Sequence, residues 1–118
     1  MIARLRTWLP LLAWMGLIYR FSDQPDLPQV ASSWLDFLIK KGLHATAYGI
    51  LAWLWWRALC AAGWRRPLRW ALGLSLLYAA SDEWHQTFVP GRHGQVTDVV
   101  IDGLGALAAS VWLRRPRL

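Results

Sequence analysis

The sequence predicts an all-α protein: an integral membrane four-helix bundle with a short interfacial helix in its first outer loop. Three observations carry that prediction, namely the share of apolar residues, their grouping into four long stretches, and the placement of basic residues around them. Hydrophobic residues make up 56% of the 118-residue chain and charged residues 17%, and mean hydropathy is +0.26. A disordered chain needs the opposite balance, and a soluble domain this small cannot bury so much apolar surface. The length suits one domain, residues 1–118, rather than two. The single cysteine, Cys60, excludes an internal disulfide framework and a Cys-based zinc cluster.

The apolar stretches run from Thr7 to Phe21, Gly42 to Ala62, Leu68 to Val89 and Val96 to Leu113. A helix needs about 20 residues, with about 17 as the lower limit, to cross a hydrocarbon core. The expected membrane helices are therefore about 4–21, 42–62, 68–89 and 96–113. The first reaches full length only by extending over Arg4 and Arg6, whose long side chains can snorkel. No A-x-A cleavage site follows it, so a retained helix is expected rather than a signal peptide. Pro25 and Pro28 break the chain after it. The stretch Gln29 to Ile39 sets Val30, Trp34, Leu35 and Leu38 against Ser32, Ser33 and Asp36, the pattern of a helix lying at an interface. Pro90 to Gln95 reads as a tight hairpin. Tryptophans 8, 14, 34, 64, 84 and 112 fall near helix ends, as in an aromatic belt, and Trp53, Trp55 and Trp56 fall deeper.

Charge sets the orientation. Arg4, Arg6, Arg57, Arg65, Arg66, Arg69, Arg114, Arg115 and Arg117 fall on one side, and only Arg20, Lys40, Lys41 and Arg92 on the other. By the positive-inside rule both termini are cytoplasmic. All acidic residues and all histidines fall in the outer half. The net charge of +6 thus reports topology, and no nucleic-acid partner is expected.

A charge at the bilayer centre costs about 2.5–3.5 kcal/mol on insertion scales, so ionisable groups inside these stretches demand a reason. At 100° per residue, Lys41, His44 and Tyr48 share one helical face. Ser75, Tyr78, Asp82, His85 and Gln86 share another, with Glu83 beside it, and Asp98 and Asp102 stand at i, i+4. Each set lies toward the outer end of its helix, so all can converge on one outward-facing site.

These residues also carry a family resemblance. Phe21-Ser22-Asp23-Gln24-Pro25 resembles the F-S-x-Q-P segment of VanZ-like membrane proteins, and Lys41-x-x-His44-x-x-x-Tyr48 resembles their second motif. Asp82-Glu83-Trp84-His85-Gln86, followed by Phe88-Val89-Pro90-Gly91-Arg92, is similar to the third, and Asp98 fits the aspartate six residues beyond its arginine. Two positions depart from the pattern: Asp23 replaces a usual serine, and Asp102 stands where many members have asparagine. The family takes its name from a glycopeptide-resistance accessory protein that affects teicoplanin susceptibility. The resemblance therefore implies a cell-envelope membrane protein, and for most members no particular reaction.

The carboxylates themselves suggest one. Glycoside hydrolysis needs one carboxyl as acid and another as nucleophile or base, about 5–9.5 Å apart. Glu83 is the expected general acid, with Asp82 or Asp98 as nucleophile or base. His44 and His85 would orient them, and Lys41 and Arg92 would clamp an anionic group. Tyr48, Gln86 and Asp102 complete the expected substrate-binding set. No cofactor is required by this scheme, although His44, His85, Asp82 and Glu83 have the ligand types for a divalent metal. The expected partners are membrane lipids and an envelope glycan or lipid-linked ligand. The alternative is a non-enzymatic binder of an envelope lipid or glycopeptide that confers antibiotic tolerance. A small transporter or channel fits less well, because the inner half is dry and the positive-inside bias strong. Ser22 is expected to cap or turn the chain, Gly103 and Gly105 to permit close helix packing, and Tyr78 to serve as a donor or an interhelical link. Asp23, Asp26, Asp36 and His93 are expected as solvated loop residues.

Overall fold

The computed structural model describes residues 2–22, 33–88 and 96–114. They form four helices: α1 (Ile2–Ser22), α2 (Ser33–Ala61), α3 (Pro67–Gln86) and α4 (Val96–Arg114). No strand occurs among the described residues. The all-helical class and the four long helices are as expected. α2 is the central element, packing on α1, α3 and α4, and α3 also packs on α4. α1 meets α2 and touches α3 only sparsely.

The separate interfacial helix is a point of correction. From Ser33 onward the expected interfacial segment is the beginning of α2, which runs unbroken to Ala61; residues 29–32 lie outside the described residues. No proline interrupts residues 33–41, so nothing there stops a helix. Across the expected junction, Asp36 and Lys40 form an i, i+4 ion pair at 3.0 Å, a spacing that supports helix. Asp36 is consequently not a solvated loop charge. It occupies the first turn of α2 and is nearly buried, where a carboxylate favours the helix dipole. α3 likewise stops short of the expected Val89: it ends at Gln86, and the Thr87 and Phe88 amides turn back to donate to Trp84 O and His85 O.

The tightest packing lies between α2 and α4. A Cβ on Gly105 would overlap the backbone of Ala45, and one on Gly49 would stand 3.2 Å from Gly105 O. A Cβ on Gly103 would lie 2.7 Å from Leu76 Cδ2 on α3. Close packing at Gly103 and Gly105 was the expectation, and small residues are what allow backbones to approach this way. α1 is attached differently. The Trp14 indole donates to Ala47 O at 2.9 Å, the Tyr78 hydroxyl donates to Met15 O at 2.6 Å, and Trp8 meets Trp55 edge to face at 6.3 Å. Trp8 and Trp14 are thus packed between helices and partly buried, whereas Trp34, Trp64, Trp84 and Trp112 are exposed.

No helix among the described residues is long and apolar enough to cross a membrane. The four crossings expected from the sequence therefore do not follow from the length and apolarity of the helices. Charged residues enter every one of them, with Arg4, Arg6 and Arg20 on α1, Lys40, Lys41 and Arg57 on α2, Asp82 and Glu83 on α3, and Asp102 on α4. How these side chains are distributed is more telling. Ser75, Asp82, Glu83, Gln86, Asp102 and Ser110 are buried, while Leu9, Leu12, Leu77, Leu104 and Val111 are each more than half exposed. A water-soluble domain has the reverse preference.

Candidate functional site

The buried acidic residues and Gln86 gather toward one end of the bundle, at the N-terminal half of α2, the C-terminal half of α3 and the N-terminal half of α4, whereas Ser75 lies near the middle of α3 and Ser110 toward the far end of α4. Helical spacing explains the gathering. His44 and Tyr48 are one turn apart on α2, and their rings stack at 5.9 Å. Asp82 and Gln86 are one turn apart on α3, and Asp102 sits one turn before the buried Ala106 on α4. The close α2–α4 contact at Ala45 and Gly105 brings the residues just before it, His44 and Asp102, within reach of each other.

Two pairs result. His44 Nδ1 and Asp102 Oδ1 are hydrogen-bonded; the ring is the donor when Asp102 is ionised, because a carboxylate only accepts. Asp102 is 1% exposed and His44 half-buried. The Tyr48 hydroxyl donates to Asp82 Oδ2 at 3.3 Å, and Tyr48 is also 1% exposed. Tyr78 adjoins Tyr48, with ring centroids 6.4 Å apart, and its own hydroxyl goes to α1. Tyr78 is therefore an interhelical link. Glu83 is buried beside Asp82 on α3, and Lys41 is partly buried one turn before His44. Two buried groups on the same stripe of α3, Ser75 Oγ and Gln86 Nε2, have no hydrogen-bond partner among the described residues.

His85 stands apart from the α2–α4 pair. Its ring stacks on Tyr19 of α1 at 4.6 Å, so the two histidines serve different helix contacts. Among the described residues no group of three or more His, Cys, Asp and Glu side chains could hold a metal ion. The set of His44, His85, Asp82 and Glu83 considered from the sequence does not assemble there. Arg92, Asp23, Asp26 and His93 lie outside the described residues, as do the hairpin at 90–95 and the side chains of Ser22 and Asp98; the backbone of Asp98 belongs to α4.

Chemically, the arrangement offers buried carboxylates on two helices, one held by an imidazole and one by a phenol. It suits holding hydroxyl-bearing or cationic groups and moving protons. The sequence placed these residue types at a common depth. It did not identify the partner of each, nor that Trp14 and Tyr78 bind main-chain carbonyls of neighbouring helices. For Tyr78 the one signal was its mid-helix position, where a hydroxyl needs a partner from a neighbouring helix; for Trp14 the sequence carried none.

A family model described as VanZ/LLP1 matches residues 6–115. No curated protein matches the chain, and no solved structure does.

Proposed function

The chain belongs to the VanZ/LLP1 family, and on that premise we propose that it is an integral protein of the bacterial cell membrane whose acidic, histidine-bearing end hydrolyses an envelope glycan or lipid-linked substrate. The observation that carries this reading is the inverted distribution of polarity. Carboxylates lie inside the bundle and leucines outside, and intramembrane ionisable residues facing a bundle interior are by default functional. Membrane residence is tested by extracting membranes with alkaline carbonate. Retention in the pellet is the expected result, and release into the supernatant overturns it.

In the reaction, Glu83 as general acid gives its proton to the leaving-group oxygen as the glycosidic bond breaks. Either Asp82 or Asp98 takes a proton from the water that attacks the anomeric carbon, or it attacks that carbon itself to form a glycosyl ester, which water then cleaves as Glu83 takes the water's proton and the aspartate leaves as carboxylate. His44 holds Asp102, and His85, Gln86 and Tyr48 position the substrate, while Lys41 and Arg92 clamp an anionic group. The test is a hydrolysis screen of purified protein in detergent with glycoside, phosphate-ester and lipid-linked substrates, with and without chelator. Turnover that disappears in Glu83→Gln and in Asp82→Asn supports the hydrolase, and chelator sensitivity transfers the chemistry to a metal.

A second reading is favoured by the pairing of His44 with Asp102 and Tyr48 with Asp82, which engages one oxygen of each acid in a contact between helices. In that reading the protein binds an envelope lipid or glycopeptide without turnover and confers tolerance to a drug such as teicoplanin. Glu83→Gln separates the two, since loss of acidity abolishes turnover and largely spares affinity.

A further inference from the structure

We infer that the hairpin joining α2 to α3 binds the phosphate headgroups of anionic phospholipids, with Arg65, Arg66 and Arg69 as counter-charges and Trp64 and Trp70 seated at headgroup level. The inference rests on the membrane residence proposed above and is independent of any activity at the other end of the bundle.

The hairpin is closely defined. α2 ends in a Schellman motif: Trp64 N–H donates to Leu59 O at 3.0 Å and Gly63 N–H to Cys60 O at 3.1 Å. Gly63 supplies the left-handed residue that this motif needs, at φ 79°. Three residues later Arg66 is itself left-handed, at φ 55°, and Pro67 opens α3. Two left-handed residues in so short a segment fold it back on itself and leave Arg65 and Arg66 exposed at the turn, with Arg69 exposed on the first turn of α3. Trp64 and Trp70 meet edge to face at 5.4 Å. They remain 47% and 52% exposed, an unusual state for two large rings unless they face something amphipathic.

Charge points to the partner. No acidic residue occurs between Asp36 and Asp82 in the sequence, so neither the C-terminal half of α2 nor the N-terminal half of α3 can neutralise these arginines. Arg57 behaves differently. Its guanidinium donates to Arg6 O and lies 5.4 Å over the Trp53 ring, which ties it to the helix surface and brings the basic start of α1 to the same end. A guanidinium fork matches phosphate geometry, and tryptophan settles at the boundary of headgroup and hydrocarbon. Basic segments beside a membrane gain from anionic lipid. Flanking indoles and the exposed leucines of the helices beyond them favour a lipid phosphate over a soluble one.

The test uses the full-length protein in detergent with brominated phosphatidylglycerol or brominated phosphatidylcholine as the probe, read by quenching of tryptophan fluorescence. Each arginine near an anionic surface is worth a factor of about five, so three give a preference for phosphatidylglycerol of between ten-fold and roughly a hundred-fold at low salt. The preference falls as salt is raised. Replacing all three arginines by glutamine (R65Q/R66Q/R69Q) brings the ratio close to one, and replacing all three by lysine (R65K/R66K/R69K) keeps most of it. Equal quenching by the two lipids in the wild type, or a preference that survives in the glutamine variant, overturns the inference. Reconstitution into phosphatidylcholine vesicles is the separate check on membrane residence: protein that inserts but shows no lipid preference defeats this inference alone, and protein that does not insert defeats both. A thermal unfolding transition in the glutamine variant like that of the wild type excludes misfolding as the cause of any loss.

Discussion

The two ends of the bundle deal with charge in opposite ways. At one end Asp36, Asp82, Glu83 and Asp102 are drawn inside and nearly buried, and the contacts there run between side chains, His44 to Asp102 and Tyr48 to Asp82. At the other end Arg65, Arg66 and Arg69 are exposed, and Arg57 reaches a main-chain carbonyl and an aromatic face. Side-chain reach accounts for the difference. An aspartate is too short to escape an apolar surround and must find a partner where it stands, whereas an arginine can carry its charge past its own apolar stem. The acidic end is consequently fixed by contacts between helices, and the basic end leaves Arg65, Arg66 and Arg69 at the surface.

The largest effect is expected from breaking the packing on which the acidic end depends. Gly105→Ala places a methyl group on the Ala45 backbone, and overpacking of this kind costs about 3 kcal/mol. Thermal unfolding in detergent should show a lower midpoint, and the His44–Asp102 contact one turn away should be lost with it. An unchanged midpoint would mean that α2 and α4 do not approach this closely.

Next in size is the pair itself. Asp102→Ala leaves the His44 Nδ1–H without its acceptor and should cost about 2 kcal/mol. Asp102→Asn retains an acceptor and should cost much less. A double-mutant cycle with His44→Ala isolates the coupling, and zero coupling energy would show that the two side chains act separately.

Smaller again is Tyr78→Phe, which removes the hydrogen bond to Met15 O at a cost of about 1 kcal/mol. Because α1 has few contacts beyond α2, the loss should be local. Hydrogen exchange should speed up across α1 and remain the same in α4; uniform acceleration would show that α1 is integral to the core. The smallest effect belongs to the basic end, where Arg57→Gln should shift stability by about 0.5 kcal/mol or less. A shift as large as that of Asp102→Ala would erase the contrast between the two ends.

Much of this was legible in the residues. Apolar period and length predicted four helices, and the residue types at i, i+3 and i+4 put Lys41, His44 and Tyr48 on one face and Asp82 and Gln86 on another. The start of α2 is not legible, because an amphipathic stretch followed by a more apolar one looks like two helices, although no residue between Ser33 and Lys41 stops the backbone from continuing. The same pattern makes Asp36 look like a loop residue. The Trp14 bond to Ala47 O was not legible, because sequence position alone does not say which aromatic finds a carbonyl acceptor across a helix interface.

By itself the sequence determined the helical class, the membership of Lys41, His44, Tyr48, Asp82, Glu83, Gln86 and Asp102 in a polar set, and the segregation of arginines from acids, because periodicity and charge are properties of the local chain. Only the tertiary structure decided that His44 answers to Asp102, that Tyr48 answers to Asp82 and that His85 turns to Tyr19. Those choices depend on how closely α2 and α4 approach at Ala45 and Gly105, a distance set by packing between helices far apart in the chain.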